Sequence, residues 1–149
     1  MNIAICSDHG GYELKMRLIP YIEELGHTVC DFGCHGLSSV DYPDFAFPMA
    51  EAVARGEYER GVAICGTGIG VSICCNKVRG IRCALCGDVL SAELTRRHND
   101  SNVLAMGGRI IGPETARAIV RVWLGAEFEG GRHEGRVAKI TEYERPQGE

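Results

Sequence analysis

The chain has no excess of positive charge and no long apolar run. Its 149 residues include 16 Lys and Arg against 20 Asp and Glu, a formal net charge of −4 at pH 7. Binding to a phosphate backbone requires clustered Lys and Arg, so this balance excludes a nucleic-acid partner. No apolar stretch is long enough to span a bilayer, and residues 1–6 lack the basic start and long apolar segment of a signal peptide. We therefore expect a cytoplasmic protein that does not bind membranes.

Paired metal-binding cysteines are also missing, although the chain contains eight cysteines. Residues 83–86 form one C-x-x-C motif, and no second pair stands at the spacing of a zinc ribbon. On a strand, positions 83 and 86 point to opposite faces. We predict no metal site and free thiols in a reducing compartment, and we disfavour thiol redox sensing because no cysteines pair convincingly. The cysteines expected to be small buried hydrophobes are Cys6, Cys30, Cys74, Cys75, Cys83 and Cys86.

Short β-rich runs alternate with amphipathic stretches along the chain. The predicted strands, nearly all apolar as in parallel strands covered on both faces, are 2–7, 28–32, 61–65, 82–86 and 103–106. The predicted helices are 12–25, 44–55, 69–78, 89–98, 113–124 and about 133–143. This alternation predicts an α/β fold, a Rossmann-like three-layer α/β/α sandwich with a five-stranded parallel sheet. We expect one domain over residues 1–149, with a disordered tail at 144–149.

Glycine, aspartate and proline mark several helix boundaries. Gly26 and Gly56 stand where helix C-caps are expected, and Asp88 can cap the helix that follows it. Pro113 is at a first-turn position, where its missing N–H costs nothing. The prolines inside helical patterns, which should kink the helices or shift their starts, are Pro20 and Pro48.

The segment Cys65-Gly66-Thr67-Gly68-Ile69-Gly70 directly follows an apolar run and precedes a helical pattern. A strand, a glycine-rich loop and a helix in this order gather unpaired backbone N–H groups at the positive end of a helix dipole, which makes an anion site. The same N–H groups would favour the thiolate form of Cys65. A thiolate beside an anion site is a base or a nucleophile next to a place where negative charge can develop, which points to an enzyme.

Three familiar phosphate-binding motifs do not fit this loop. A dinucleotide fingerprint requires G-x-G-x-x-G after the first strand, whereas these glycines alternate after the third. The chain has no Gly-Lys-Ser/Thr for a Walker loop, and Val71 stands where a cysteine phosphatase would have its arginine. Proton abstraction from carbon beside a carbonyl remains, because the enediolate formed would need N–H donors, with the Thr67 hydroxyl close by. The plain alternative is that Cys65 packs in the core and the glycines turn the chain.

Five motifs follow one another along the chain. They are Ser-Asp-His-Gly-Gly at 7–11, Asp-Tyr-Pro at 41–43, Cys-Gly-Thr-Gly-Ile-Gly at 65–70, Arg-His-Asn-Asp-x-Asn-Val-Leu at 97–104 and Gly-Gly-Arg-His at 130–133 with Arg136. In this order they resemble the ribose-5-phosphate isomerase B family, a group that also includes galactose-6-phosphate and allose-6-phosphate isomerases. The resemblance runs from about residue 2 to 143 without a gap.

The resemblance, together with the chemistry of the loop, implies a role for each matching residue. Cys65 would move a proton between C1 and C2 of the open-chain sugar while the backbone N–H groups of residues 66–70 hold the enediolate. His98 would open the furanose ring, a task for a group that titrates near neutrality. The other expected catalytic residues are Thr67 and Asp41. The expected substrate-binding residues are Asp8, His9, Tyr42, Gly66, Gly68, Ile69, Gly70, Asn99, Arg109, Arg132 and Arg136.

The basic candidates would hold the substrate phosphate, which needs forked donors. Arg132 and Arg136 are four apart on the last predicted helix and therefore share a face, which a solvated basic surface would explain equally well. The histidine alternative is an exposed helix-end His98 paired with Asp100. Asp41 and Tyr42 could form a helix-start turn. The role of His133 stays open, and the histidines taken as structural are His27 and His35.

These features together predict an aldose–ketose isomerase for ribose 5-phosphate and ribulose 5-phosphate, without metal or organic cofactor. The resemblance implies a homodimer or homotetramer whose active sites are shared between subunits. The last predicted helix carries an apolar stripe at Val137, Ile140 and Tyr143 that could pack on the partner. The alternatives are isomerisation of a six-carbon sugar phosphate and a non-catalytic sugar-phosphate-binding module.

Overall fold

Strands and helices alternate along the computed structural model, which describes residues 1–146. The strands are β1 (Asn2–Ser7), β2 (Thr28–Asp31), β3 (Arg60–Cys65), β4 (Cys83–Leu85) and β5 (Val103–Gly107). The helices are α1 (Tyr12–Glu24), α2 (Pro43–Ala54), α3 (Ile69–Asn76), α4 (Val89–Asn99), α5 (Pro113–Gly125) and α6 (Arg132–Tyr143). Each matches a predicted element, with bounds that differ by at most two residues. Of the predicted tail, Glu144 accepts a hydrogen bond from the Gly80 N–H at 3.0 Å, and residues 147–149 lie outside the described residues.

The five strands form one parallel sheet in the order β2-β1-β3-β5-β4. Ser7 pairs with Ile64, and Cys65 pairs with Gly107, so the central strands β1, β3 and β5 end level with one another. The loops after these three strands consequently meet at the carboxyl edge of the sheet, where ligands bind in open α/β sheets.

Helices cover both faces of the sheet, which confirms the predicted three-layer sandwich. Ile3 and Ile5 point to the face covered by α1, α4 and α5, whereas Ala4 and Cys6 point to the face covered by α2 and α3. Beyond their first residues, the central strands β1, β3 and β5 are buried on both faces, as their uninterrupted apolar sequence predicts, whereas the outer strands β2 and β4 are partly exposed. Helix α6 packs against α4 and leaves Ile140 and Tyr143 exposed.

The predicted helix caps are confirmed, and the helices that contain internal prolines are continuous. Gly26 and Gly56 follow α1 and α2 with left-handed φ angles of +93° and +77°, and Asp88 accepts the Ser91 N–H at 2.7 Å. Pro113 is the first residue of α5. Helices α1 and α2 run through their prolines and keep their starts at Tyr12 and Pro43. Both of these internal prolines are exposed; the helix starts are not shifted, and the alternative expectation of a kink stays a prediction.

The cysteines agree with the prediction of buried packing in most positions. Cys6, Cys74, Cys75 and Cys86 are buried, but Cys30 is exposed because it lies on the edge strand β2 and faces outwards. The prediction was therefore wrong for Cys30, and Cys83 is half-buried. Within residues 1–146, no helix has the length and apolar character to cross a membrane.

Candidate active site

Cys65 ends β3 and is 4% exposed at the start of the glycine-rich loop. The Gly68 N–H donates to Cys65 Sγ at 3.1 Å, which orients the sulfur and can stabilise negative charge on it. Gly68 has a left-handed φ of +79°, and a Cβ there would lie 2.5 Å from Leu85 Cδ1 and 2.6 Å from the carbonyl carbon of Met106. The loop therefore requires glycine at position 68, both for its conformation and for its close approach to β5.

The first turn of α3 follows immediately after this loop. The Thr67 hydroxyl accepts the N–H of Ile69 at 3.2 Å, and Gly70 is the second residue of the helix. The first backbone N–H groups of a helix have no intrahelical acceptors. The loop and the first turn of α3 therefore place backbone N–H groups next to the Cys65 sulfur, where the sequence predicts an anion site.

The loops after β1 and β5 contact the Cys65 loop through backbone atoms. A Cβ on Gly10 would lie 3.0 Å from the Gly66 nitrogen, and one on Gly108 would lie 2.8 Å from the Gly10 carbonyl oxygen. The Gly108 N–H donates to the Cys65 carbonyl at 2.8 Å, and the Arg109 N–H donates to the Gly66 carbonyl at 2.9 Å. The exposed Arg109 side chain lies along the loop, with Nη1 3.5 Å from where a Gly66 Cβ would be. The loops after β1, β3 and β5 thus form one continuous surface, the floor of the candidate site.

Asp8 and His9 lie beside this floor. The buried Asp8 carboxylate accepts the N–H groups of Gly10 and Gly11 at 2.9 and 3.1 Å. His9 Nδ1 accepts the Val40 N–H at 3.2 Å, so its Nε2 is the nitrogen that can donate. Both side chains line an open depression of about 470 Å³, whose other lining residues are Ser39, Val40, Asp41, Tyr42, Pro43 and Asp44.

Tyr42 connects this depression to the Cys65 loop. A Cβ on Gly70 would lie 2.6 Å from Tyr42 Cζ, so the tyrosine ring packs directly on the first turn of α3. Asp41 also begins the turn into α2, since its carbonyl accepts the Asp44 N–H at 3.2 Å. Asp41 and Tyr42 therefore both form the turn that starts α2 and line the depression.

The remaining predicted site residues lie at the opposite edge of the sheet from Cys65, which is the amino edge, where the parallel strands begin. Helix α4 runs back from the carboxyl edge, so His98 and Asn99 occupy its last turn beside the start of β5. The Asn102 carbonyl that follows this turn accepts the N–H of Gly61, near the start of β3. Cys65 is at the far end of that six-residue strand, a length of roughly 17 Å. Within one chain, the structure does not bring His98 to Cys65.

His98 belongs to a second group of side chains at this edge. Its ring stacks on that of His133, with centroids 4.2 Å apart and planes 12° apart. Glu129 Oε2 lies 3.8 Å from His133 Nε2, and Glu129 Oε1 accepts from Arg97 Nε at 2.5 Å. Desolvation, and then the nearby charge of His98, lower the pKa of His133. Asp100 pairs instead with arginines, so the His98–Asp100 alternative is not what the structure shows.

The predicted phosphate-binding arginines of α6 belong to the same edge. Arg132 begins the helix next to His133, and Arg136 follows one turn later; both are exposed. Asn99 is in the last turn of α4, where its carbonyl accepts from Arg82 Nε at 3.0 Å. The second group thus combines histidines with arginines on two adjoining helix ends.

Sequence reasoning missed two participants in these groups. Val40 supplies the backbone N–H that orients His9, and a backbone contact of this kind has no sequence signal. Glu129 contacts the second group from the loop between α5 and α6, and a loop position has no helical spacing that could have indicated this contact.

Comparison with known proteins gives a consistent result. Residues 3–140 match a sequence model of the Ribose/Galactose Isomerase family. The chain is 48% identical to ribose-5-phosphate isomerase B of Escherichia coli, with 96% of each chain covered. It is 44% identical to D-erythrulose-4-phosphate isomerase of Pectobacterium atrosepticum, with 97% of this chain and 95% of that one covered. The structure of ribose-5-phosphate isomerase B from Clostridium thermocellum superposes with a TM-score of 0.95, at 54% identity and 97% coverage of both chains.

Fold, site and relatives together define a sugar-phosphate isomerase. The chain belongs to the Ribose/Galactose Isomerase family, and the resemblance to the ribose-5-phosphate isomerase B group is confirmed.

Proposed function

We propose that the protein interconverts ribose 5-phosphate and ribulose 5-phosphate through an enediolate. The observation that carries this proposal is the Cys65 thiol at the end of β3, held by the Gly68 N–H at 3.1 Å beside the start of α3. Relatives of 48% and 54% identity are named for ribose 5-phosphate.

The proton transfers follow from this arrangement. Cys65 takes the proton from C2 of the open-chain aldose, and the electron pair moves onto the carbonyl oxygen at C1. The loop N–H groups, with the Thr67 hydroxyl, stabilise the resulting oxyanion. Return of the proton from Cys65 to C1 and transfer of the hydroxyl proton from O2 to O1 give the ketose. The reaction is redox-neutral within the sugar and requires no cofactor.

We further propose that two copies of the chain complete each site. His98, Arg132 and Arg136 lie at the opposite edge of the sheet from Cys65, so a site that uses both groups needs a second molecule. In a two-fold dimer the same pair of surfaces meets twice, giving two equivalent sites. His98 of one copy would open the furanose ring, and the two arginines would hold the phosphate while Cys65 of the other copy moves the proton.

Other sugar phosphates are the second candidates for the same chemistry. The depression beside Asp8 and His9 is open and has a volume of about 470 Å³, which leaves room for a six-carbon substrate such as allose or galactose 6-phosphate. The relative named for D-erythrulose 4-phosphate supports a four-carbon one. A binding module without catalysis would use the same anion site and leave Cys65 unused.

The test is an assay of the reduced protein, with a chelator, on ribose 5-phosphate, allose 6-phosphate, galactose 6-phosphate and erythrose 4-phosphate. We expect ketose formation with the pentose, abolished by Cys65→Ala while calorimetry still detects sugar-phosphate binding. Cys74→Ala, which removes another buried thiol from the same part of the chain, is the matched control and should keep activity. Turnover confined to a different sugar phosphate would replace the proposed substrate, and no turnover with any would favour the binding module.

A further inference from the structure

Three side chains that can coordinate a metal ion converge where α4 ends and α6 begins. They are His98, Glu129 and His133, and one nitrogen or oxygen atom from each lies within 4.8 Å of the other two. His98 comes from the last turn of α4, His133 from the first turn of α6, and Glu129 from the loop between α5 and α6. We propose that this trio, named here the His–Glu–His cluster, is a binding site for a divalent transition-metal cation such as Zn²⁺.

The spacing of the cluster is close to what a tetrahedral cation needs. Ligand bonds of about 2.0–2.1 Å place neighbouring ligand atoms roughly 3.3 Å apart. Glu129 Oε2 and His133 Nε2 are already 3.8 Å apart, and no pair in the cluster exceeds 4.8 Å. The imidazole rings are stacked at 4.2 Å, so each must rotate to turn a nitrogen lone pair toward a common point. The required closure is on the order of 1 Å, which side-chain rotation supplies.

The backbone and a neighbouring side chain already hold the cluster together. The Glu129 N–H donates to the Arg97 carbonyl at 3.0 Å, and the His133 N–H donates to the Gly130 carbonyl at 3.1 Å. Arg97 also binds one oxygen of the Glu129 carboxylate at 2.5 Å, which leaves the other oxygen directed to His133. A carboxylate oriented by an outer hydrogen bond is the usual arrangement around metal ligands.

The donor set selects the class of cation. Two imidazoles and one carboxylate suit Zn²⁺, Co²⁺ or Ni²⁺, whereas Mg²⁺ and Ca²⁺ prefer oxygen ligands throughout. Three protein ligands leave a fourth position for water or for an oxygen of the sugar phosphate. The exposed Arg132 and Arg136 on the same helix add positive charge nearby, so we expect weak, reversible occupancy. This differs from the expectation of no metal site, which considered cysteine spacing.

Occupancy would have a functional consequence that rests on the proposed function. The lone pair of His98 that binds the cation cannot accept a proton from the sugar. Zn²⁺ at the cluster should therefore inhibit ring opening reversibly, and a chelator should restore activity. The proposed isomerase then has a site through which transition-metal ions reduce its rate.

The experiment measures binding separately from activity. We would titrate Co²⁺ into the reduced full-length protein and record its visible d–d absorption together with the near-ultraviolet thiolate-to-cobalt charge-transfer band. The proposal expects d–d bands at one cation per chain, with no thiolate band other than one that Cys65→Ala removes. Glu129→Gln and His133→Ala should each weaken the affinity about tenfold or more. His35→Ala, an exposed histidine outside the cluster, is the control and should leave the titration unchanged.

Two results would overturn the site. One is Co²⁺ binding whose thiolate band persists in Cys65→Ala, because the ligands would then be cysteines other than the one that the proposed shared site brings to His98. The other is an affinity that neither Glu129→Gln nor His133→Ala alters; since Glu129 is exposed, its conservative variant removes the ligand without a burden on folding. Isomerase activity is measured in parallel: binding at the cluster without inhibition keeps the site and instead contradicts the role proposed for His98.

Discussion

The Lys15 ammonium group donates a hydrogen bond to the Asp31 carboxylate at 2.7 Å, although the Lys15 side chain has no solvent exposure. The ammonium also donates to the Cys34 carbonyl, and Asp31 accepts the Gly33 N–H at 2.8 Å. The pair therefore ties α1 to the loop after β2, beside the floor of the candidate site. Removing Asp31 leaves a buried charge without its counterion, so we expect Asp31→Ala to lower the free energy of unfolding by about 3–5 kcal/mol.

The reciprocal change distinguishes this cause from a simple loss of contacts. In Lys15→Met the remaining Asp31 side chain is 26% exposed and can be hydrated, so the loss should be smaller than in Asp31→Ala. Urea unfolding followed by far-ultraviolet circular dichroism gives both values. Equal losses in the two variants would mean that the buried ammonium is not the origin of the effect.

Gly68 and Gly56 offer a matched test of the Cys65 loop. Their φ angles are +79° and +77°, but a Cβ on Gly68 would meet β5 and Leu85, whereas nothing lies within 4 Å of one on Gly56. We expect Gly56→Ala to cost about 1 kcal/mol for its left-handed conformation and to keep full activity. Gly68→Ala should cost roughly 1–3 kcal/mol more and impair turnover, because the loop must move. Thermal unfolding and steady-state assays measure the two effects; similar stabilities would contradict the close approach.

The proposal that two copies share each site predicts recovery of activity when inactive variants are mixed. In a mixed dimer of Cys65→Ala and His98→Ala chains, one site carries both substitutions and the other carries neither. If subunits exchange at random, half of the dimers are mixed and each keeps one of two sites, which gives about a quarter of wild-type activity. The two proteins would be denatured together, refolded and assayed, with each variant refolded separately as the control. Activity no higher than the mean of the controls would place both residues in one chain's site.

The ring-opening role proposed for His98 predicts a difference between substrates. Ribose 5-phosphate closes into a furanose, whereas erythrose 4-phosphate cannot, because its O4 carries the phosphate. We expect His98→Asn to lower kcat/KM for ribose 5-phosphate by about 10²–10⁴-fold and to affect the four-carbon substrate much less. Parallel assays of both substrates with wild-type and variant enzyme provide the ratio. Equal losses would assign His98 to the proton transfer or to binding.

The titration of His27 should make the stability of the folded protein depend on pH. Burial, and then the charge of the amino terminus, lower the pKa of His27 in the folded protein. The unfolded chain therefore binds a proton at His27 more readily than the folded protein does. The folded state keeps its full stability with respect to this group above the unfolded pKa of about 6.5, and it loses stability as the pH falls from there through the folded pKa. We expect Tm to fall less between pH 7.5 and 5.5 in His27→Asn than in the wild type. The exposed His35→Asn is the control, and equal falls in all three proteins would rule out this origin.

The order of strands and helices was predictable because the central strands β1, β3 and β5 are buried on both faces and therefore appear as apolar runs. The position of β4 outside β5 was not, since strand order depends on how the connecting helices pack across the sheet.

At the site, parallel strands ending at one edge explain why the loops at Asp8, Cys65 and Arg109 could be grouped from the sequence. The separation of His98 from Cys65 required a further step. Helix α4 has 11 residues and a length of roughly 16 Å, enough to return the chain to the amino edge of the sheet. The contacts among Gly10, Gly66 and Gly108 had no sequence signal beyond the absence of side chains.

Helix α6 packs against α4 and, within residues 132–143, buries one side chain, that of His133. Its other side chains take no part in the two cores on either face of the sheet. Natural variation in the outward residues of α6 is therefore nearly free of folding constraints. Sequence divergence can act on Arg132 and Arg136, the arginines proposed to hold the phosphate, while the thiol loop and the sheet that carries it stay as they are.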